Sequence, residues 1–206
     1  MPNGGDGGLT VATDEELRQR VTTLHEVASV LLADLDSARV LAGLGPVHLT
    51  GSYVSDLMNW RDLDVMVHVG AAFSPHDVLL LLGRILDQPG VYGFRYADER
   101  GPRRPTEHLR DERYHTPFTW RRGTASWQVD LTLWLHDPHA HPTAWHEALR
   151  ARITAQERAA VLLIKDVWHR LPTYPEEVSG PEICTAVLDG VRTPEEFGHW
   201  LNSSGV

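Results

Sequence analysis

The 206-residue chain is poor in cysteine, in lysine and in long apolar runs, and each shortage removes a class of explanation. A single cysteine, Cys184, excludes an internal disulfide and agrees with a reducing compartment. No helper residue accompanies it, so it reads as a small helix residue and not as a nucleophile. No apolar stretch approaches the length of a membrane span, and the polar, glycine-rich opening MPNGGDGG lacks the apolar centre of a secretory signal. Residues 1–12 are therefore expected to be disordered, and the protein to be soluble and cytoplasmic. One lysine and eighteen arginines face 28 acidic residues, for a net charge of −9 and a pI near 5.7. That balance argues against the broad electrostatic footprint that long nucleic acid requires. Repeats and low-complexity linkers are absent too, while 42% apolar content suffices for a sizeable core.

What is present centres on HLTGSYVSDLMNWRDLDVMVHV, residues 48–69. Val47–Leu49 reads as a short strand running into Gly51-Ser52. Asp62 and Asp64 follow inside a second strand whose neighbours are Leu63, Val65, Met66 and Val67. An ionised carboxylate among such residues is costly unless something positive compensates it. Side chains two apart on a strand share a face, so both carboxylates can serve the same divalent ions. The glycine permits close backbone approach, and turn amides with a serine hydroxyl suit a phosphate. Phosphate on the turn and metal on the carboxylates would together grip one nucleoside triphosphate.

Gly51-Ser52, a nine-residue spacer and Asp62-Leu63-Asp64 resemble the signature of the DNA polymerase β-like nucleotidyltransferase superfamily. The resemblance implies a third carboxylate on a neighbouring strand. The candidate is Asp130 in ASWQVDLTLWL, again an Asp within an alternating apolar run. Asp56, Asp98, Asp111 and Asp137 lie in turn-like or polar surroundings and read as solvated side chains.

The rest of the chain follows from caps and periods. Thr13-x-x-Glu16 is a capping box, and Leu17, Val21, Leu24, Val27, Leu31 and Leu35 form a stripe at helical spacing, predicting a helix from 13 to about 37. Ser74-Pro75 with Asp77 opens a crossover helix that Pro89-Gly90 closes. Runs at 91–97, 113–122 and 126–135 are strand-like, with Gly123-Thr124 as a hairpin turn. From 142 onward the pattern is helical. The expected fold is α+β, a nucleotidyltransferase fold with a mixed sheet of about five strands. Residues 13–141 form the catalytic domain and 142–206 a C-terminal helical lobe.

In the lobe, Lys165 is the only lysine, in AVLLIKDVWHRLPTYP. A compact charge on a long stem suits a triphosphate, and a snorkelling surface lysine is the alternative. The segment resembles a helix of archaeal CCA-adding and poly(A)-polymerase-like enzymes, and VSGPEICTAVLDGV the serine-glycine helix that follows it there. The resemblance implies that Lys165, Tyr174 and Ser179 contact the nucleotide, although Pro181 departs from the pattern. Two other features read as ordinary surface: His136, His139, His141 and His146 as loop histidines, and the arginines at 100–122, interleaved with acids, as a solvated face. The other reading of those arginines is an acceptor or phosphate clamp. Trp60 and Trp127, the tryptophans nearest the motif, read as packing residues.

As implied by the resemblance, Asp62 and Asp64 hold two Mg²⁺ ions, with Mn²⁺ the alternative, and Asp130 completes the set. Gly51, Ser52 and Lys165 hold the triphosphate of an NTP co-substrate. A nucleoside monophosphate passes to an acceptor hydroxyl and pyrophosphate leaves. A short, acidic member looks most like enzymes that modify small hydroxylated molecules. The alternatives are a toxin-like enzyme acting on RNA, tRNA included, or on protein, and an inactive nucleotide-binding relative. The sequence leaves the oligomeric state open.

Overall fold

The computed structural model describes residues 12–137, 142–174 and 177–204. By internal contact the chain divides into two compact units: residues 21–152, which carry the sheet, and 1–20 with 153–206, which are helical. No helix among the described residues is long and apolar enough to cross a membrane.

In the sheet unit, seven strands form one mixed sheet. The strands are β1 (Val47–Leu49), β2 (Asp62–His68), β3 (Val91–Phe94), β4 (Ala97–Glu99), β5 (Arg113–His115), β6 (Phe118–Arg122) and β7 (Ala125–Trp134). The sequence patterns suggested about five, and the register explains the difference. β5 and β6 pair antiparallel with β7 in one continuous register, His115 opposite Thr132 and Phe118 opposite Val129. They are one strand path interrupted at Thr116-Pro117, where proline has no N–H to give to the ladder. β3 and β4 are likewise one path along β6 and β5, interrupted at Arg95-Tyr96. The sheet therefore has five paths, ordered β1, β2, β7, β5/β6 and β3/β4, and only β2 and β7 run parallel.

Helix α1 (Asp14–Ser37) buries its predicted stripe, and its residues from Leu24 onward join Leu63, Val65, Val67, Val129, Leu131 and Leu133 in one core. Helix α2 (Gly51–Ser55) is only five residues long and stops at Asp56, which adopts a left-handed φ of 58°. Helix α3 (Pro75–Leu86) starts at Ser74-Pro75 as expected, where Ser74 and Asp77 form a capping box, and buries Val78, Leu81, Leu82 and Ile85. It carries the chain from β2 to the far edge of the sheet. Helix α4 (Pro142–Arg152) belongs to this unit, where the Thr143 hydroxyl donates to the Leu49 carbonyl at 2.6 Å.

In the helical unit, α5 (Ala155–Trp168), α6 (Gly180–Leu188) and α7 (Pro194–Ser204) bury Val161, Ile164, Ile183, Val187 and Phe197. Trp168 packs edge-on against Phe197, with ring centroids 4.9 Å apart. The buried Asp166 carboxylate accepts hydrogen bonds from Arg20 and, at 2.8 Å, from Arg170.

Candidate active site

Alternation along β2 decides which of its residues meet the core. Leu63, Val65 and Val67 are fully buried, whereas Asp62 and Asp64 emerge half-buried on the opposite face. β7 repeats the pattern, with Trp127, Val129 and Leu131 inside and Ser126, Gln128 and Asp130 outside. Because the two strands are parallel and in register, Asp64 pairs with Asp130 and Asp62 with Gln128. The third carboxylate is thus delivered by the register of the ladder. Asp62, Asp64 and Asp130 each offer an oxygen, and these atoms lie within 4.8 Å of one another. Among the described residues it is the one group of three or more Asp, Glu, His or Cys side chains so arranged.

Three carboxylates at this spacing repel one another unless protons or cations intervene. The donor set is all oxygen and all anionic, which fits hard divalent ions such as Mg²⁺ or Mn²⁺ and does not fit the nitrogen and sulfur preference of Zn²⁺. Gly51 closes the site from the side. Its φ is 66°, and a β-carbon built on it would overlap the Asp64 carboxylate. Only glycine leaves room there, so the Gly-Ser turn and the second carboxylate are in contact, as the spacing in sequence suggested. Ser52 follows on the first turn of α2, half-buried.

Two neighbours of the triad escaped the sequence reading. Gln128 donates from Nε2 to Asp130 Oδ1 at 2.9 Å, which fixes the carboxylate. His115 sits on β5 opposite Thr132, its Nδ1 3.4 Å from the Thr132 hydroxyl. Burial pushes its pKa below the usual histidine value, opposed chiefly by the charge of Asp130. The polar alternation Ser126, Gln128, Asp130, Thr132 was a visible signal for Gln128. His115 had none, because its place beside β7 comes from strand pairing.

The other acids go elsewhere. Asp56 caps α2, Asp98 is held by Arg100 and Arg103, and Asp111 accepts from the Thr106 hydroxyl. Asp137 is exposed. His136 lies 3.4 Å from Glu112 and His146 sits on α4, while His139 and His141 fall outside the described residues. Trp127 is a core residue and Trp60 is half-buried.

Within the helical unit, Lys165 is buried, with 5% of its surface exposed, and so is not a snorkelling surface residue. A β-carbon built on Gly180 would stand 3.5 Å from the Tyr174 hydroxyl and 3.9 Å from Lys165 Nζ. Both polar heads therefore gather at the first residue of α6. Ser179 precedes it as the N-cap, its N–H donating to Glu182 Oε2 at 2.6 Å. Buried Cys184 lies near enough for the Lys165 charge to oppose the rise in thiol pKa that burial causes.

No protein-family model and no curated protein matches the chain. Solved structures do. The poly(A) polymerase complex GLD-2–GLD-3 is similar with a TM-score of 0.54 and 11% identity, over 86% of this chain and 60% of that one. The GLD-2/RNP-8 complex is similar with a TM-score of 0.57 and 12% identity, over 88% of this chain and 67% of that one. The chain thus has the nucleotidyltransferase fold that the Gly-Ser and Asp-x-Asp motif implied, and it spans 60% of the length of the first of these relatives.

Proposed function

We propose that the chain is a metal-dependent nucleotidyltransferase that moves a nucleoside monophosphate from an NTP to a hydroxyl acceptor and releases pyrophosphate. The observation that carries this reading is the convergence of Asp62, Asp64 and Asp130 against Gly51. Phosphoryl transfer asks a protein for charge neutralisation and alignment more than for covalent help. Divalent ions held by the three carboxylates would neutralise the triphosphate and lower the pKa of the acceptor hydroxyl.

The residues divide the work. Asp62 and Asp64 would hold the ions, and Asp130, held by Gln128, would complete the set and take the hydroxyl proton. Gly51 lets phosphate oxygens approach backbone amides, and the Ser52 hydroxyl donates to them. In the helical unit, buried Lys165 with Tyr174 and Ser179 forms the nucleotide contact that the sequence resemblance assigned to them. The cytoplasm, where NTP is plentiful, is the proposed location.

Two observations bear on the acceptor. The net charge of −9 supports a small hydroxylated molecule. The similarity to a protein named poly(A) polymerase supports an RNA end. Incubation with each α-labelled NTP and Mg²⁺, with small-molecule, RNA and protein acceptors, tests the reaction and sorts the acceptors. Label is expected to enter one class and pyrophosphate to appear in equal amount. Tight NTP binding with no pyrophosphate from any acceptor would instead make the chain a nucleotide-binding relative without turnover.

A further inference from the structure

The arginines at 100–122 divide into two groups. Arg100 and Arg103 pair with Asp98, Arg110 with Asp111, Arg113 with Glu99 and Arg122 with Asp34. Arg104 donates to the carbonyls of Gly101 and Glu107. Arg100, Arg103, Arg110, Arg113 and Arg122 are thus neutralised by carboxylates, as mixed charge in the sequence suggested, and Arg104 is tied to carbonyls of its own loop. Arg121 differs. It is exposed, no carboxylate among the described residues pairs with it, and its guanidinium carbon lies 4.9 Å from the centroid of the Tyr92 ring.

We infer that Arg121, held over Tyr92, contacts the phosphodiester backbone of a single-stranded oligonucleotide whose 3′ hydroxyl is the acceptor, an inference that rests on the nucleotidyl-transfer reading. The placement comes from register. Arg121 pairs with Ser126 and Thr119 with Gln128, so both project from the same face of the sheet as Gln128, Asp130, Asp62 and Asp64. The register shift between Val91 and Gly93 turns Tyr92 onto that face, where its hydroxyl donates to Ser126 Oγ at 3.0 Å. Between Arg121 and the triad the face carries Thr119, Ser126 and Gln128, uncharged and polar, and the first acid met is Asp62, opposite Gln128, within the triad itself.

From Ser126 to Asp130 is four strand residues, about 13 Å along β7. That separation places Arg121 roughly two to four nucleotides behind a hydroxyl held at the triad. An acceptor the size of one nucleoside does not reach both. A guanidinium offers a planar fork to phosphate and a flat face to an unstacked base, and the ring beneath restricts its orientations beforehand. The net negative charge of the chain does not oppose this contact, because distant charges are screened within about 8 Å at physiological salt.

The test is fluorescence anisotropy with labelled single-stranded RNA and DNA 12-mers and a duplex of the same sequence, without NTP or metal, so that binding is read apart from catalysis. The native chain is expected to bind the single strands over the duplex. Arg121→Glu should weaken them at least about 10-fold and Arg121→Ala should lower the salt slope by about one. Tyr92→Ala should weaken binding in the same direction, and Arg103→Glu, on a paired arginine, should change nothing. Equal binding by native and Arg121→Glu chains of unchanged thermal stability overturns the inference. So does failure of the native chain to bind any single strand. Pyrophosphate release with a small acceptor and no oligonucleotide binding sinks the inference alone. Oligonucleotide binding as expected, with no pyrophosphate under any condition, supports the binding surface and sinks the transfer reading.

Discussion

The Cα of Gly51 lies against the carboxylate of Asp64, in space that any side chain at position 51 would occupy. Gly51→Ala therefore meets two obstacles, a left-handed φ of 66° and a displaced carboxylate. The backbone obstacle is worth about 1–2 kcal/mol. Displacing a ligating group by an ångström costs on the order of 100-fold in rate. Gly51→Ala should lower kcat far more than it lowers the unfolding temperature. Activity retained within a factor of two would mean that Asp64 does not hold its observed place during turnover.

Three carboxylates within 4.8 Å store repulsion that a cation relieves. Mg²⁺ should raise the unfolding free energy of the native chain, by about 2.7 kcal/mol at a hundredfold excess over its dissociation constant. Asp130→Asn removes one charge. It should be more stable than the native chain without metal, gain little from Mg²⁺ and be inactive. Thermal unfolding with and without Mg²⁺ and Mn²⁺ reads all three expectations. An equal metal response in the two chains would show that Asp130 is no ligand.

Under the proposed nucleotide contact, Lys165 sets function against stability. An ammonium with 5% of its surface exposed is expensive to bury even when partnered. Lys165→Met should leave the unfolding temperature unchanged or raised, while raising KM for NTP about 10-fold or more, as loss of a charge-assisted phosphate contact would. A large fall in stability with KM unchanged would assign Lys165 to the core.

Asp166 gives a pH dependence whose sign is fixed by its partners. Burial raises its pKa, but hydrogen bonds and charges from Arg20 and Arg170 outweigh burial and hold it below the ordinary carboxylate value of 3.8. The folded state therefore favours the ionised form. The resulting stabilisation is complete above pH 3.8 and is lost as pH falls through the lower folded value. Asp166→Asn should be less stable than the native chain at neutral pH, with the gap narrowing in acid. Removing both arginines strands a buried charge and should cost about 3–5 kcal/mol. Urea unfolding between pH 2.5 and 7 measures the gap.

The pieces legible in the sequence were those governed by local rules. The capping box at Thr13 and the Ser74-Pro75 start with Asp77 opened helices as read, and alternation around Asp62, Asp64 and Asp130 marked strands with polar outer faces. The 91–97 and 113–122 runs were read as whole strands, and each is one path in the sheet. Its interruptions, at Arg95-Tyr96 and Thr116-Pro117, lie side by side and were settled by pairing. His115 beside Asp130 and the separation of Arg121 from its paired neighbours were not legible. Each depends on which strand lies next to which.

The sequence by itself determined the chemistry offered to the site: two carboxylates on one face of a strand, a glycine where backbone must come close, and a third acid in a matching strand. Those are consequences of a two-residue side-chain period and of one residue type that lacks a β-carbon. Only the tertiary structure decided that Asp130 meets Asp64 and that Arg121 shares their face. Strand order and register are long-range choices, fixed by how Leu63, Val65, Val129 and Leu131 pack together on the buried side.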